Sequence, residues 1–99
     1  MRLRGQPLGT KNLIGARVES ARKNQNMKQK ELLAQLQVRG VDLNASGLSK
    51  LEGQIRYVTD MELLALSDIL GVSVMWLLTG RDVKDRNEPV RAADTRPTP

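Results

Sequence analysis

The side chains best suited to recognition chemistry lie between residues 44 and 56, in the stretch NASGLSKLEGQIR. Asn44 is a typical helix N-cap, Leu48 and Leu51 are spaced for one buried face, and Gly53 predicts a left-handed helix end. The opposite face of this short predicted helix carries Ala45, Ser46, Ser49 and Lys50. Small and hydrogen-bonding groups of this kind can approach base edges on the floor of a DNA groove. A solvated helix face with one lysine would have the same residues, so the surrounding elements must decide between the two interpretations.

The sequence offers little for catalysis or metal binding. It contains no histidine and no cysteine, which removes the usual general bases and metal ligands. A carboxylate pair could come only from acids on predicted helices and turns, where isolated acids are usually solvated, and no Gly-rich phosphate loop accompanies them. These acids are Glu31, Asp42, Glu52, Asp60, Glu62 and Asp68. We therefore expect no enzymatic activity, no metal and no cofactor.

Aromatic residues are too few for a protein that binds RNA or single strands. The chain has only Tyr57 and Trp76 and no phenylalanine, whereas such proteins stack bases on several aromatic rings. Trp76 lies within an apolar segment, so we expect it to contact the core or a second copy of the chain.

The net charge of +5 is unevenly distributed along the 99 residues. Residues 1–30 have a net charge of +7, residues 31–80 of −3, and residues 81–99 of +1. A strongly basic end favours a polyanionic partner, and nucleic acid before membrane, because no stretch pairs a basic face with a large apolar one. A solvated basic face is the alternative.

No apolar run approaches the length of a membrane span, and residues 1–11 lack the hydrophobic region of a signal peptide. We therefore expect no membrane contact and an intracellular protein. The two polar ends leave a compact unit of about 70 residues, a size at which a single core is marginal and dimerisation would help.

Two amphipathic helices are predicted before residue 40. The first covers residues 12–25 and buries Leu13, Ile14, Val18 and Ala21, which recur at helical spacing. The second runs from residue 27 or 28 to 37 and buries Leu32, Leu33 and Leu36. Its first turn contains Lys28, Gln29 and Lys30, and donors at a positive helix end suit a phosphate.

Two further helices are predicted after residue 56. Thr59 and Glu62 form a capping box at the start of a helix that ends at Gly71, with Leu63, Leu66 and Leu70 on its buried stripe. Ser73 caps a fifth helix, residues 74–79, which Gly80 closes. Val74 to Leu78 are all apolar, and a helix of one to two turns cannot turn all five inward. We expect Leu77 in the core and Met75 or Trp76 in a dimer interface.

The segment from residue 13 to 80 resembles the small repressor-type helix-turn-helix proteins of the lambda-repressor and Cro-like (XRE) class. The resemblance rests on three blocks in order, MKQKEL at 27–32, LSKLE at 48–52 and LGVSVMWLL at 70–78. The turn between the second and third helices is several residues longer than usual, and Leu33 stands where the family has a small residue.

The resemblance implies specific roles for the residues around the third helix. Gln29 would donate to a DNA phosphate, and Arg22 would pair with Glu52 to fix the angle of the third helix. Base contacts are expected from Asn44, Ala45, Ser46, Ser49 and Lys50. Phosphate contacts are expected from Lys28, Gln29, Lys30, Gln54 and Arg56.

The sequence thus predicts an all-α, five-helix, repressor-like helix-turn-helix domain at residues 12–80. Residues 1–11 are predicted to be a flexible basic arm and residues 81–99 a disordered tail. The expected function is sequence-specific binding of double-stranded DNA by a homodimeric transcriptional regulator of bacterial or phage type, a repressor that acts by occupying its operator. Such a protein would be cytoplasmic and associated with the DNA of the bacterial nucleoid. The alternative is an antitoxin-type or other protein-interaction module whose residues 81–99 bind a partner protein.

Overall fold

A computed structural model of the chain describes residues 7–81, which form five α-helices and contain no strand. They are α1 (Gly15–Asn24), α2 (Gln29–Val38), α3 (Ala45–Glu52), α4 (Asp60–Leu70) and α5 (Val74–Thr79). The all-helical class and the number of helices are therefore as predicted. No helix within the described residues has the length and apolar content needed to cross a bilayer.

Local capping explains where the last three helices begin. The Asn44 side chain accepts a hydrogen bond from the Gly47 amide at 2.7 Å, and the Ser73 hydroxyl accepts one from Trp76 at 2.9 Å. At the start of α4, Thr59 and Glu62 each accept a bond from the other's backbone amide, at 3.1 and 3.0 Å. The predicted N-caps and the predicted capping box are confirmed.

The helices α4 and α5 end at the predicted left-handed glycines, whereas α3 ends at a left-handed residue other than the predicted Gly53. Gly71 and Gly80 have φ values of 70° and 79°, whereas Gly53 is right-handed with a φ of −81°. The positive φ after α3, 61°, belongs to Gln54. Ile55 donates its amide to the Lys50 carbonyl at 2.9 Å, and Gln54 donates to Leu51 at 3.0 Å, which is a Schellman ending one residue later than predicted.

All five helices contribute to one apolar core. Its most completely buried members are Val18, Leu32, Leu36, Leu48, Leu51, Leu66 and Leu77. Leu33 and Leu63, predicted to be buried, are partly exposed but pack against this core. The placement of Leu13 in the core was wrong, since this residue is 66% exposed. Helix α1 begins only at Gly15, so helical periodicity does not set the direction of the Leu13 side chain.

Residues 7–11, which were predicted to belong to a flexible arm, pair with the end of α3. The Gly9 amide donates to the Gly53 carbonyl and the Lys11 amide to the Gln54 carbonyl, both at 2.9 Å. A Cβ atom on Gly9 would collide with the Gln54 carbonyl and the Ile55 side chain, so glycine permits this close approach. Part of the segment predicted as an arm therefore contacts the helical domain. Residues 1–6 and all of the predicted tail after Arg81 lie outside the described residues.

Candidate nucleic-acid interface

Helix α3 is attached to the rest of the molecule through one face. Leu48 and Leu51 are buried in the core, and Glu52 is only 1% exposed. Leu51 and Glu52 follow Leu48 by three and four residues, so all three lie on one side of the helix. Their burial fixes how deeply α3 packs against the core and which side of it faces the core. The other face is thereby turned outward.

A buried ion pair holds the last turn of α3. Arg22 of α1 donates from Nε to Oε2 of Glu52 at 2.8 Å and from Nη2 to Oε1 at 3.0 Å. Its Nη1 donates to the Met27 carbonyl at 2.9 Å, which ties the same guanidinium to the connection between α1 and α2. The predicted pairing of Arg22 with Glu52 is present in the structure, and its bidentate geometry limits the orientations open to both side chains.

Gln29, in the first turn of α2, joins the same cluster. Its Nε2 donates to Oε1 of Glu52 at 2.9 Å, and its Oε1 lies 3.4 Å from the Ser49 hydroxyl, which donates to it. Sequence reasoning assigned Gln29 to a phosphate and missed these contacts. An amide group has two hydrogens, and the bond to Glu52 uses one of them. Gln29 therefore connects the buried ion pair with the outward face of α3.

The outward face of α3 consists of the residues that were predicted to face bases. Asn44, Ala45, Ser46, Ser49 and Lys50 are all exposed. Asn44 already uses its side-chain oxygen to cap α3, so its contribution to recognition would come from the amide hydrogens. The remaining groups are a methyl, two hydroxyls and one ammonium, and no acidic side chain occurs between residues 44 and 50.

The first turn of α2 extends this face with positive charge. Lys28 and Lys30 are exposed and flank Gln29 in the chain, and Gln29 accepts a hydrogen bond from Ser49 of α3. The acid in the first turn of α2 is Glu31, whose carboxylate accepts a hydrogen bond from the Lys28 backbone amide at 2.7 Å as part of the helix cap. The structure thus places Gln29 next to the outward face of α3, with the exposed Lys28 and Lys30 as its chain neighbours.

Two predicted phosphate contacts are committed to bonds within the protein. Gln54 donates from Nε2 to the Asn12 carbonyl at 2.6 Å, and its side chain is half-buried. Arg56 donates from Nη1 to Oε1 of Glu62 at 3.1 Å, and Glu62 itself is buried. A guanidinium has five N–H groups and a side-chain amide has two, so Arg56 and Gln54 each keep at least one donor for a second partner.

Sequence reasoning missed the residue that anchors the C-terminal end of α3. Asn12 donates from Nδ2 to the carbonyls of Leu51 and Arg56, at 3.1 and 2.9 Å. Its Oδ1 accepts the amides of Ile14 and Gly15, at 3.0 and 2.8 Å, and so begins α1. One asparagine thus joins the start of α1 to the end of α3. The available sequence signal was the capping preference of asparagine ahead of an apolar helix.

The predicted dimer residues on α5 are less exposed than expected. Leu77 is fully buried, as predicted. Met75 is 44% exposed, but Trp76 is partly buried and packs against the core. Only part of the predicted apolar patch on α5 is therefore open to a partner.

Among residues 7–81, no three acidic side chains lie close enough together to hold a metal ion. Comparison with known proteins found no matching family model, no matching curated protein and no matching solved structure.

Proposed function

We propose that this protein binds double-stranded DNA in a sequence-specific manner, with α3 in the major groove and α2 across the phosphate backbone, and that it regulates transcription. The observation that carries the proposal is the outward face of α3, which is exposed, free of acids and backed by the buried Arg22–Glu52 pair. This face consists of Asn44, Ala45, Ser46, Ser49 and Lys50. An α-helix fits the major groove, where side-chain donors can read base edges.

The roles of individual residues follow from their positions. Lys50 is the strongest candidate for reading guanine, because its ammonium can donate to the O6 and N7 acceptors in the groove. Ser46 and Ser49 offer hydroxyls, and Ala45 allows a close approach. Lys28, Lys30 and the second amide hydrogen of Gln29 would hold phosphates beside the first turn of α2, where the helix dipole also favours an anion.

Regulation would follow from occupancy of an operator, which excludes other proteins from the same DNA. As a homodimer, the protein would place two α3 helices in successive major grooves about 34 Å apart. The operator would then be a near-palindrome with half-sites one helical turn apart. A protein-interaction function for residues 81–99 involves a segment that lies almost entirely outside the described residues.

The proposal is tested by selecting DNA from a pool of random duplexes with the purified protein. We expect a reproducible, near-palindromic sequence to be enriched, and its affinity to fall steeply with salt as phosphate counterions are released. A matched single-stranded pool is the control and should yield no enrichment. A protein that enriches no duplex sequence at low salt contradicts the proposed function.

A further inference from the structure

An open groove of about 290 Å³ lies beside the C-terminal end of α3, on a surface that the proposed DNA contacts do not use. The start of α1, the connection between α3 and α4, and the end of α5 form its walls. Its apolar lining includes Leu13, Tyr57, Val58, Leu63 and Leu78.

Two large apolar side chains that line this groove are largely exposed to solvent. Leu13 is 66% exposed and Tyr57 is 72% exposed, although both residues line the same concavity. Exposed apolar side chains beside a recess allow an isologous contact, in which these side chains of each copy fill the recess of the other across a twofold axis. Tyrosine is also among the residues most enriched at the centres of protein interfaces.

The charges that line the groove fit the same arrangement. Lys11 and Asp60 are both exposed lining residues of opposite sign. The Lys11 ammonium lies 5.5 Å from the centre of the Tyr57 ring, so the positive charge is held over the exposed aromatic face. A twofold axis that brings Lys11 of one copy to Asp60 of the other also brings Asp60 of the first copy to Lys11 of the second. One patch that carries both charges can therefore form two equivalent ion pairs.

We propose that this groove is the interface of a homodimer, in which Leu13 and Tyr57 of one copy enter the groove of the other and Lys11 lies against Asp60 of the partner subunit. This places the interface at Leu13 and Tyr57 rather than at Met75 and Trp76 of α5. The proposal does not depend on DNA binding. It is compatible with DNA binding, because none of the lining residues belongs to the outward face of α3, which therefore stays open when the groove is covered.

The test is analytical ultracentrifugation of the full chain over a range of concentrations. Wild-type protein should dimerise, and Leu13→Glu should weaken the dimer by about tenfold or more, because it buries a carboxylate in the apolar contact. Leu64→Glu is the matched control, since Leu64 is 67% exposed and does not line the groove. It should change the dimer constant by less than about twofold. Circular dichroism verifies that each variant keeps its helices.

A charge exchange tests the proposed ion pair separately. Lys11→Glu alone should weaken the dimer because two carboxylates would then meet, and adding Asp60→Lys should restore part of the loss. A wild-type protein that stays monomeric at every soluble concentration overturns the proposal, and so does a dimer that Met75→Glu dissociates and Leu13→Glu does not. Sequence-specific binding by a monomer would overturn this interface but leave the proposed DNA-binding function standing.

Discussion

Arg22 and Glu52 form a bidentate ion pair with N–O distances of 2.8 and 3.0 Å, and both side chains are almost fully buried. The pair joins α1 to the last turn of α3, and Gln29 of α2 adds a third hydrogen bond to the same carboxylate. The angle at which α3 projects from the molecule is therefore set by polar contacts as well as by Leu48 and Leu51.

Replacing Arg22 with methionine should destabilise the protein by about 3–5 kcal/mol, because the Glu52 carboxylate would be left buried without its main partner. Arg39→Met is the matched control, since Arg39 also donates from Nε and Nη2, at 3.0 and 2.9 Å, but to a single oxygen of Asp68 and on the surface. That substitution should cost about 0–1 kcal/mol. Urea unfolding followed by circular dichroism measures both. Equal losses would contradict the role given to the buried pair.

Gly15→Ala should destabilise the protein by about 1–3 kcal/mol, because the new Cβ would collide with the carbonyl oxygens of Leu51 and Glu52. Backbone atoms at the end of α3 cannot move aside without disturbing the outward face. Gly47→Ala is the comparison, because the new Cβ there meets the terminal methyl of Leu43 at 2.7 Å, which a side-chain rotation can relieve.

Gly47→Ala also gains up to about 1 kcal/mol of helix propensity, so it should be close to neutral. Thermal denaturation of the two variants gives the ranking directly. A Gly15→Ala protein as stable as Gly47→Ala would mean that α1 and α3 do not approach each other as closely as described.

Asn12→Asp separates two roles of a single side chain. The carboxylate can still accept the amides of Ile14 and Gly15, but it cannot donate to the carbonyls of Leu51 and Arg56. We expect a loss of about 1–3 kcal/mol in unfolding free energy. Asn24→Asp, at the exposed end of α1, should stay within about 0.5 kcal/mol of wild type. Similar losses in the two variants would remove Asn12 as the anchor of α3.

Local signals in the sequence account for much of this fold. The spacing of leucines, the N-caps Asn44 and Ser73, and the glycines at 71 and 80 each act within a few residues, and the corresponding helices begin or end as predicted. The exposure of Ala45, Ser46, Ser49 and Lys50 follows from the same periodicity, since Leu48 and Leu51 fix the buried face.

Contacts between distant residues were harder to predict. Asn12 donates to carbonyl groups that lie 39 and 44 residues further along the chain. Nothing in the residues next to Asn12 indicates that its side-chain amide contacts the end of α3. The hydrogen bond from Gln54, a predicted phosphate contact, to the Asn12 carbonyl also joins residues far apart in the chain and has no signal in the local sequence. Leu13 was placed in the core by a periodicity that starts only two residues later.

Lys50→Ala should weaken binding to the selected operator by about 1–3 kcal/mol and binding to random duplex only slightly, because the loss concerns base readout. Lys28→Ala and Lys30→Ala should instead weaken both DNAs to a similar extent, since their proposed contacts are with phosphates. Fluorescence anisotropy on the two duplexes at one salt concentration distinguishes the loss of a base contact from the loss of a phosphate contact. Equal losses on both DNAs for Lys50→Ala would reassign it to the backbone.

The most direct measurement compares two alanine-to-glutamate variants in DNA binding. Ala45 and Ala34 are both exposed helical residues, on the outward face of α3 and on α2 respectively, so Ala45→Glu and Ala34→Glu change the charge equally. If α3 enters the groove, Ala45→Glu should abolish binding to the selected duplex through repulsion from the DNA, while Ala34→Glu binds within a few-fold of wild type. Both variants should keep the wild-type circular dichroism spectrum. An Ala45→Glu protein that binds the duplex as tightly as Ala34→Glu would show that α3 is not the DNA-binding surface.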